Sequence, residues 1–262
     1  MKGIKKRLQK GEAVIGTFVS LGSPVTTEII GKAPWDWLML DLEHGAGSES
    51  DILTQLQSLS NTDITAIIRV EGTERQRVHK VLDMGAHGIM FPRIETASEA
   101  HRALRAMRYA PKGDRGVAKL VRATEFGTTF DTYHATVDGE LLGVIQIETL
   151  EALNHLDEIA AMDGCDVLFI GPADLSMALG IFGQLDHPKF LEAERAIIRA
   201  AQRAGKAVGF LILDPKEYTT YYDKGIRFFA CGTDAYFLKK QNQVTAEALV
   251  QLREKAQKQY AE

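Results

Sequence analysis

Cysteine is scarce in this chain, with only Cys165 and Cys231 among 262 residues. A pair with no short spacing makes neither a metal knuckle nor a redox motif, and both stand in apolar, strand-like sequence, which predicts buried reduced thiols. Long apolar runs are missing as well. Nothing approaches the roughly 18 residues that span a bilayer, and the N-terminus lacks the charged-then-apolar order of a signal peptide, so a cytoplasmic protein with no membrane partner is expected. Charge of one sign is not in excess either: 31 Lys and Arg stand against 35 Asp and Glu, for a formal net charge of −4. That balance argues against a nucleic-acid surface, which needs clustered cations. The basic opening from Lys2 to Lys10 is broken by Gly3, Ile4 and Leu8 and reads as a solvated helix at one end of the fold. There is no low-complexity tract and no repeat of 20–50 residues.

What is present is the composition of an ordinary globular protein, 45% hydrophobic and 25% charged. The length permits two small domains or one barrel of roughly 250 residues, and the pattern of elements decides. Short β-branched or apolar runs predict strands at Val14–Val19, Trp37–Leu42, Ile64–Val70, Gly88–Phe91, Leu142–Ile147, Val167–Ile170, Ala207–Leu213 and Arg227–Cys231. Helical periodicity lies between them, with start signals at Ser48 with Asp51, at Thr96 with Glu99, and at Asp214-Pro215. Eight strand–helix units in series predict one α/β domain over residues 1–262, a closed (β/α)8 TIM barrel, rather than an open doubly wound sheet. The longest connection, about Tyr109 to Glu140, reads as a lid or an interface arm.

Residues just past the strands share one rim of such a barrel, and chemistry-bearing side chains collect there. Gln146 and Glu148 alternate with Ile147 and so point the same way, and a carboxylate directed into a barrel mouth must be paired or ligating. The plainer role for Glu148 is to favour the next helix N-terminus. Gly171-Pro172-Ala173-Asp174 combines a close-approach glycine, a fixed turn and a helix start suited to a carboxylate, whereas Asp174 alone would be an ordinary N-cap. Together Glu148 and Asp174, from neighbouring strands, form a candidate site for one hard cation, Mg²⁺ with Mn²⁺ or Co²⁺ as substitutes. His44 stands at the end of the second strand as a candidate proton-transfer group, with Asp83 as a candidate to orient it across the barrel. Arg69 closes an apolar strand and needs an anionic or carbonyl partner, either a developing enolate oxygen or simply Glu71 or Glu43.

These residues sit in strings that resemble the HpcH/HpaI family, the 4-hydroxy-2-oxoheptanedioate aldolase-like class II pyruvate aldolases. The strings are DLEHG at Asp41–Gly45, IIRV at Ile67–Val70, LDMGAHGIMFPRIET at Leu82–Thr96, RYAPKGDRG at Arg108–Gly116, QIET at Gln146–Thr149 and FIGPADLS at Phe169–Ser176. They run in order from about Gly11 to Leu238. The resemblance implies a phosphoenolpyruvate/pyruvate-type barrel with a swapped C-terminal helix, assembled as a homo-hexamer. It implies that Glu148 and Asp174 ligate a divalent metal beside Gln146, that Arg69 holds the keto oxygen of a pyruvyl group, and that Gly171, Pro172, Ala173 and Asp174 hold its carboxylate. Leu211 is counted among the substrate-contacting residues, and His44 with Asp83 among the catalytic ones. Three positions depart from the family pattern: Glu71 where proline is common, Arg93 where a smaller or apolar residue is frequent, and Glu125 where a second arginine is frequent. They bear on substrate preference.

The expected reaction is reversible cleavage of a 4-hydroxy-2-oxo acid to pyruvate and an aldehyde through a metal-stabilised enolate. No lysine occupies a strand end in a way that suits a Schiff base; Lys119 falls in the long connection. Two other readings remain at this stage: a CoA-ester lyase of the citramalyl or malyl type, and a non-catalytic 2-oxo-acid-binding protein.

Overall fold

In the computed structural model, which describes residues 3–259, eight parallel strands close into a barrel in the order β1 to β8. The elements run α1 (Ile4–Gln9), β1 (Val14–Val19), α2 (Pro24–Ile30), β2 (Trp37–Asp41), α3 (Glu49–Ser58), β3 (Thr65–Arg69), α4 (Arg75–Asp83), β4 (Gly88–Phe91), α5 (Ala97–Ala106), α6 (Phe130–Glu140) and β5 (Leu142–Ile147). They continue with α7 (Leu150–Asn154), α8 (Leu156–Ala160), β6 (Val167–Ile170), α9 (Pro172–Ala178), α10 (Pro188–Arg203), β7 (Ala207–Ile212), α11 (Tyr218–Asp223), β8 (Phe228–Thr233) and α12 (Asp234–Gln259). The (β/α)8 barrel expected from the alternation of runs is the fold. Four strands match their expected bounds, and the others shift by one or two residues, as strand ends do when the ladder rather than composition defines them.

Two apolar layers follow from the alternation of side chains along each strand. Inside the barrel Phe18, Trp37, Met39, Ile67, Met90, Phe169 and Phe228 pack together, and Ile4 and Leu8 of α1 close the end where the strands begin. Trp37 and Phe228 stack with ring centroids 4.1 Å apart. Gly16 makes room for that stack, since a Cβ there would overlap the Trp37 ring and its carbonyl oxygen. Outside the strands a larger layer, with Leu38, Ile68, Ile89, Ile145, Ile170 and Phe210 on the sheet side, buries the helices. Because the core is filled from both sides, only the loops past the strand C-termini are left to build a site.

The predicted helix starts at Ser48 and Thr96 are capping boxes with Asp51 and Glu99, and Asp214 caps a short 3-10 turn, Pro215–Glu217, ahead of α11. Of the basic opening, Lys2 lies outside the described residues, as do residues 260–262 at the other end; from Ile4 onward the segment is α1. The long connection departs from expectation. It holds a 3-10 segment, Arg122–Gly127, and α6, and it is fastened to the far ends of α3 and α4: Arg122 donates to the carbonyls of Met84 and Leu56 and to Ser60 Oγ. It is therefore not a lid over its own barrel mouth. Glu125 travels with it, away from that mouth. Cys165 is buried and Cys231 half-buried, both as free thiols, and burial pushes the Cys165 thiol up to about 12. No helix among the described residues is long and apolar enough to cross a membrane.

Among the described residues α12 is anchored at its start. Asp234, buried, accepts from Ser20 N, Ser20 Oγ and Leu21 N, and Phe237 stacks on Trp35. From Leu238 to Gln259 every residue is exposed, including Leu238, Val244, Leu249 and Leu252.

Candidate functional site

The parallel ladder sets Asp41 of β2 directly beside Arg69 of β3 at the strand C-termini. Both are buried, and the guanidinium grips the carboxylate with two hydrogen bonds, Nε to Oδ1 at 2.9 Å and Nη2 to Oδ2 at 2.7 Å. Asp41 Oδ1 also accepts from the backbone N–H groups of Glu43 and His44, which folds the chain back over the rim. Arg69 Nη1 lies 3.1 Å from Glu43 Oε2, and His44 Nε2 lies 3.8 Å from that same oxygen. Arg69, Glu43 and His44 thus form a row along one lip, with the His44 side chain 69% exposed. Burial alone would lower the Arg69 pKa, but the hydrogen bonds and charge of Asp41, with Glu43 and Glu148 beyond it, raise it, so this cation is permanent. Of the two plain partners open to Arg69, Glu43 is the real one; Glu71 pairs with Arg77 instead, at 3.0 Å.

Across the mouth, Glu148 follows β5 and is 3% exposed. Arg93 N donates to its Oε1 at 2.8 Å, and Gln146 Nε2 donates to its Oε2. Arg93 adopts a positive φ of 50° as it does so. Among the described residues no cation pairs with Glu148, and its pKa is raised, chiefly by burial and then by the charges of Asp174 and Glu43, against the two hydrogen bonds that lower it. The Glu43 carboxyl is raised too, first by burial, with Arg69 and His44 pulling the other way and Asp41 and Asp174 adding to it. Four carboxylates, Asp41, Glu43, Glu148 and Asp174, therefore face one another's fields at one barrel end with Arg69 the buried cation among them.

Gly171 caps α9 and is the hinge of the opposite wall: a Cβ there would overlap Glu148 Oε2 and press on Gln146 Nε2. Pro172, Ala173 and the exposed Asp174 form the first turn of α9. Because Gly171 occupies the N-cap and no side chain caps the helix, Asp174 is not a capping residue. Leu211, half-buried near the end of β7, packs against the inner barrel layer. One expected partner is not brought to the site. Asp83 ends α4, and a helix following β3 must return to the end where β4 begins, so Asp83 lies at the opposite end from His44 and cannot orient it across the barrel. Its carboxylate instead receives Arg115 Nη2 at 2.8 Å.

The donor set at the mouth suits a hard divalent cation. Among the described residues no three His, Cys, Asp or Glu side chains form a ready-made metal cage. Two carboxylates with room for small oxygen ligands are what Mg²⁺-type ions use. Beside them Gln146 Oε1 is buried with no hydrogen-bond partner, an acceptor lacking a donor where Glu148 lacks a cation. Asp41 and the Arg93 N–H carry parts of this geometry that the sequence reading did not assign. The signal for Asp41 lay in strand alignment, since two parallel strands ending in Asp and Arg place those ends side by side.

The same architecture is found in known proteins. The family model for HpcH/HpaI aldolase/citrate lyase matches residues 14–240. The chain is 36% identical over 256 residues to a hydroxypyruvate/pyruvate aldolase of Paraburkholderia phytofirmans, covering 95% of this chain and 97% of that protein. It is 35% identical to a 5-keto-4-deoxy-D-glucarate aldolase of Salmonella paratyphi A, covering 93% and 94%. A crystal structure of an HpcH/HpaI aldolase/citrate lyase family protein from Burkholderia cenocepacia superimposes with a TM-score of 0.89 at 34% identity, covering 97% of this chain and all of that one. With its barrel, its strand-end carboxylates and these relatives in agreement over nearly its whole length, the chain belongs to the HpcH/HpaI aldolase/citrate lyase family.

Proposed function

We propose that the protein is a divalent-metal-dependent aldolase that reversibly cleaves 4-hydroxy-2-oxo acids to pyruvate and an aldehyde. The observation that carries this is the buried Glu148, paired with no cation among the described residues and within the field of Asp174 and Glu43, with the Asp41-clamped guanidinium of Arg69 on the same mouth. Glu148 and Asp174 would hold the ion, which when bound supplies Lewis-acid polarisation of a 2-oxo acid.

The remaining roles belong to the chain itself. The Gly171–Asp174 turn offers backbone N–H groups to the substrate carboxylate, and Gln146 stands beside it. Arg69 has N–H bonds to spare after engaging Asp41, and because Asp41 fixes its plane it donates to the keto oxygen, holding the negative charge that gathers there as the C3–C4 bond breaks. His44 takes the proton of the 4-hydroxyl and returns one to C3 of the pyruvate enolate after the aldehyde leaves; its exposure suits exchange with water, and Glu43 restrains its ring. Leu211 forms an apolar wall. Within one chain Asp83 has no part in this. The unsupported length of α12 supports an assembly of several copies, a homo-hexamer on the family pattern, in which α12 packs on a neighbour.

The test is retro-aldol release of pyruvate from a panel of 4-hydroxy-2-oxo acids with and without EDTA. Chelator should abolish turnover and Mg²⁺, Mn²⁺ or Co²⁺ should restore it. Full turnover in chelator, or borohydride trapping of a covalent adduct, rejects the assignment. Cleavage of CoA thioesters in place of oxo acids would favour a CoA-ester lyase, which the aldolase relatives disfavour. Binding of pyruvate with no exchange of its methyl protons into D₂O would favour a binding protein.

A further inference from the structure

Arg93 is a charged residue at the barrel mouth that the reaction above does not use. It follows β4 and Pro92, its backbone N–H is spent on Glu148 Oε1, and it holds a positive φ of 50° that a residue with a Cβ rarely adopts. The side chain itself is exposed and, among the described residues, makes no hydrogen bond or ion pair, although carboxylates surround the site it borders. Glu43, Glu148 and Asp174 do not draw it in.

Resting on the aldolase reading, we propose that Arg93 is a specificity-determining residue of this site, binding the carboxylate of an aldehyde that carries one and so favouring oxo-acid aldehydes over neutral aldehydes. The electrostatics favour a residue of this kind if such substrates are used. Even with the proposed divalent ion in place, the four negative charges of Asp41, Glu43, Glu148 and Asp174 exceed the three positive charges of that ion and Arg69, and Asp41 already takes two of the Arg69 hydrogen bonds. A pyruvyl carboxylate adds further negative charge. A second carboxylate arriving with the aldehyde fragment would meet repulsion from this whole set unless a separate, uncommitted cation stood at the rim. Arg93 is such a cation, and a planar guanidinium fits a carboxylate with two parallel hydrogen bonds. The left-handed backbone lets one residue do both jobs: its N–H stays on Glu148 while its side chain remains outside the carboxylate cluster.

The experiment compares kcat/KM for aldol addition of pyruvate to two aldehydes of equal length, one ending in a carboxylate and one in the corresponding amide. It uses the full-length protein, Arg93→Asn and Arg93→Lys. Asparagine tolerates the left-handed conformation, which guards the Arg93 N–H contact with Glu148. The native protein should prefer the carboxylate, and Arg93→Asn should reduce the carboxylate-to-amide ratio by about tenfold, through KM for the aldehyde. Arg93→Lys should recover part of that ratio, and raising the salt concentration should erode the native preference. A ratio changed by less than about twofold, or an equal loss with both aldehydes, overturns the proposal and leaves Arg93 acting only through its backbone. Exchange of pyruvate methyl protons into D₂O separates the two claims. If the native protein exchanges them but shows no carboxylate preference, only the role of Arg93 falls. If it does not exchange them at all, the aldolase reading falls as well.

Discussion

Arg69 and Asp41 form a buried pair, with side chains 9% and 3% exposed, and their geometry ties catalysis to stability at one residue. Arg69→Ala removes the proposed donor to the enolate oxygen, so kcat should fall by about 10²–10³-fold. It also strands Asp41 and Glu43 beside each other, and loss of one partner of a buried pair costs about 3–5 kcal/mol. Thermal melting and turnover measured well below the lowered Tm separate the two effects. Arg69→Lys should recover little activity, because an ammonium cannot grip both oxygens of Asp41 and still face the substrate. A kcat loss of only a few-fold in Arg69→Ala would make the residue structural. At this scale the sequence was informative for groups whose position follows from their own strand, such as Gln146, Glu148, Arg69 and the Gly171–Asp174 turn. It failed where the role depends on a neighbour. Asp41 was visible in DLEHG without its partner, and Asp83 was paired with His44 although a barrel helix carries it to the other end, onto Arg115.

Elements were legible where a local pattern fixes them. β1, β4, β5 and β6 follow from short apolar runs, and the helix starts at Ser48 and Thr96 from reciprocal capping pairs. The long connection was not, because α6 has a weakly amphipathic sequence and only one buried residue, Val137, so little periodicity marks it. α12 raises the opposite problem, a long helix whose described residues are all exposed from Leu238 to Gln259. A helix in a protein draws most of its stability from packing. Leu238, Val244, Leu249 and Leu252 would then be covered by a neighbouring copy. Removing residues 241–259 should shift the protein to a smaller species by multi-angle light scattering and lower Tm, with the barrel still folded by circular dichroism. An unchanged mass would show that α12 does not hold the assembly together.

For the whole molecule, the acidic mouth couples stability to pH and to metal. Burial raises the pKa of Glu148 and Glu43 above the ordinary glutamate value of 4.5. A carboxyl raised in the folded state binds its proton more tightly there than in the unfolded chain. Its contribution to stability is therefore fully present below about pH 4.5 and is lost as pH rises through the raised value. As pH rises through those raised values the metal-free fold takes on the cost of ionising these buried groups, and the proposed divalent cation would relieve it by binding the ionised forms. Mn²⁺ or Mg²⁺ should accordingly raise Tm at pH 7.5, and the gain should shrink toward pH 5. Glu148→Gln sharpens the test. The amide oxygen of the new glutamine still accepts from Arg93 N, while its NH₂ turns toward Gln146, whose partnerless Oε1 accepts it once that amide rotates. The variant should be at least as stable as the native protein in EDTA at pH 7.5 and inactive, with no Tm gain from Mn²⁺. A native-sized gain in the variant would place the ion elsewhere, and a less stable variant in EDTA would mean that the ionised Glu148 supports the fold rather than straining it.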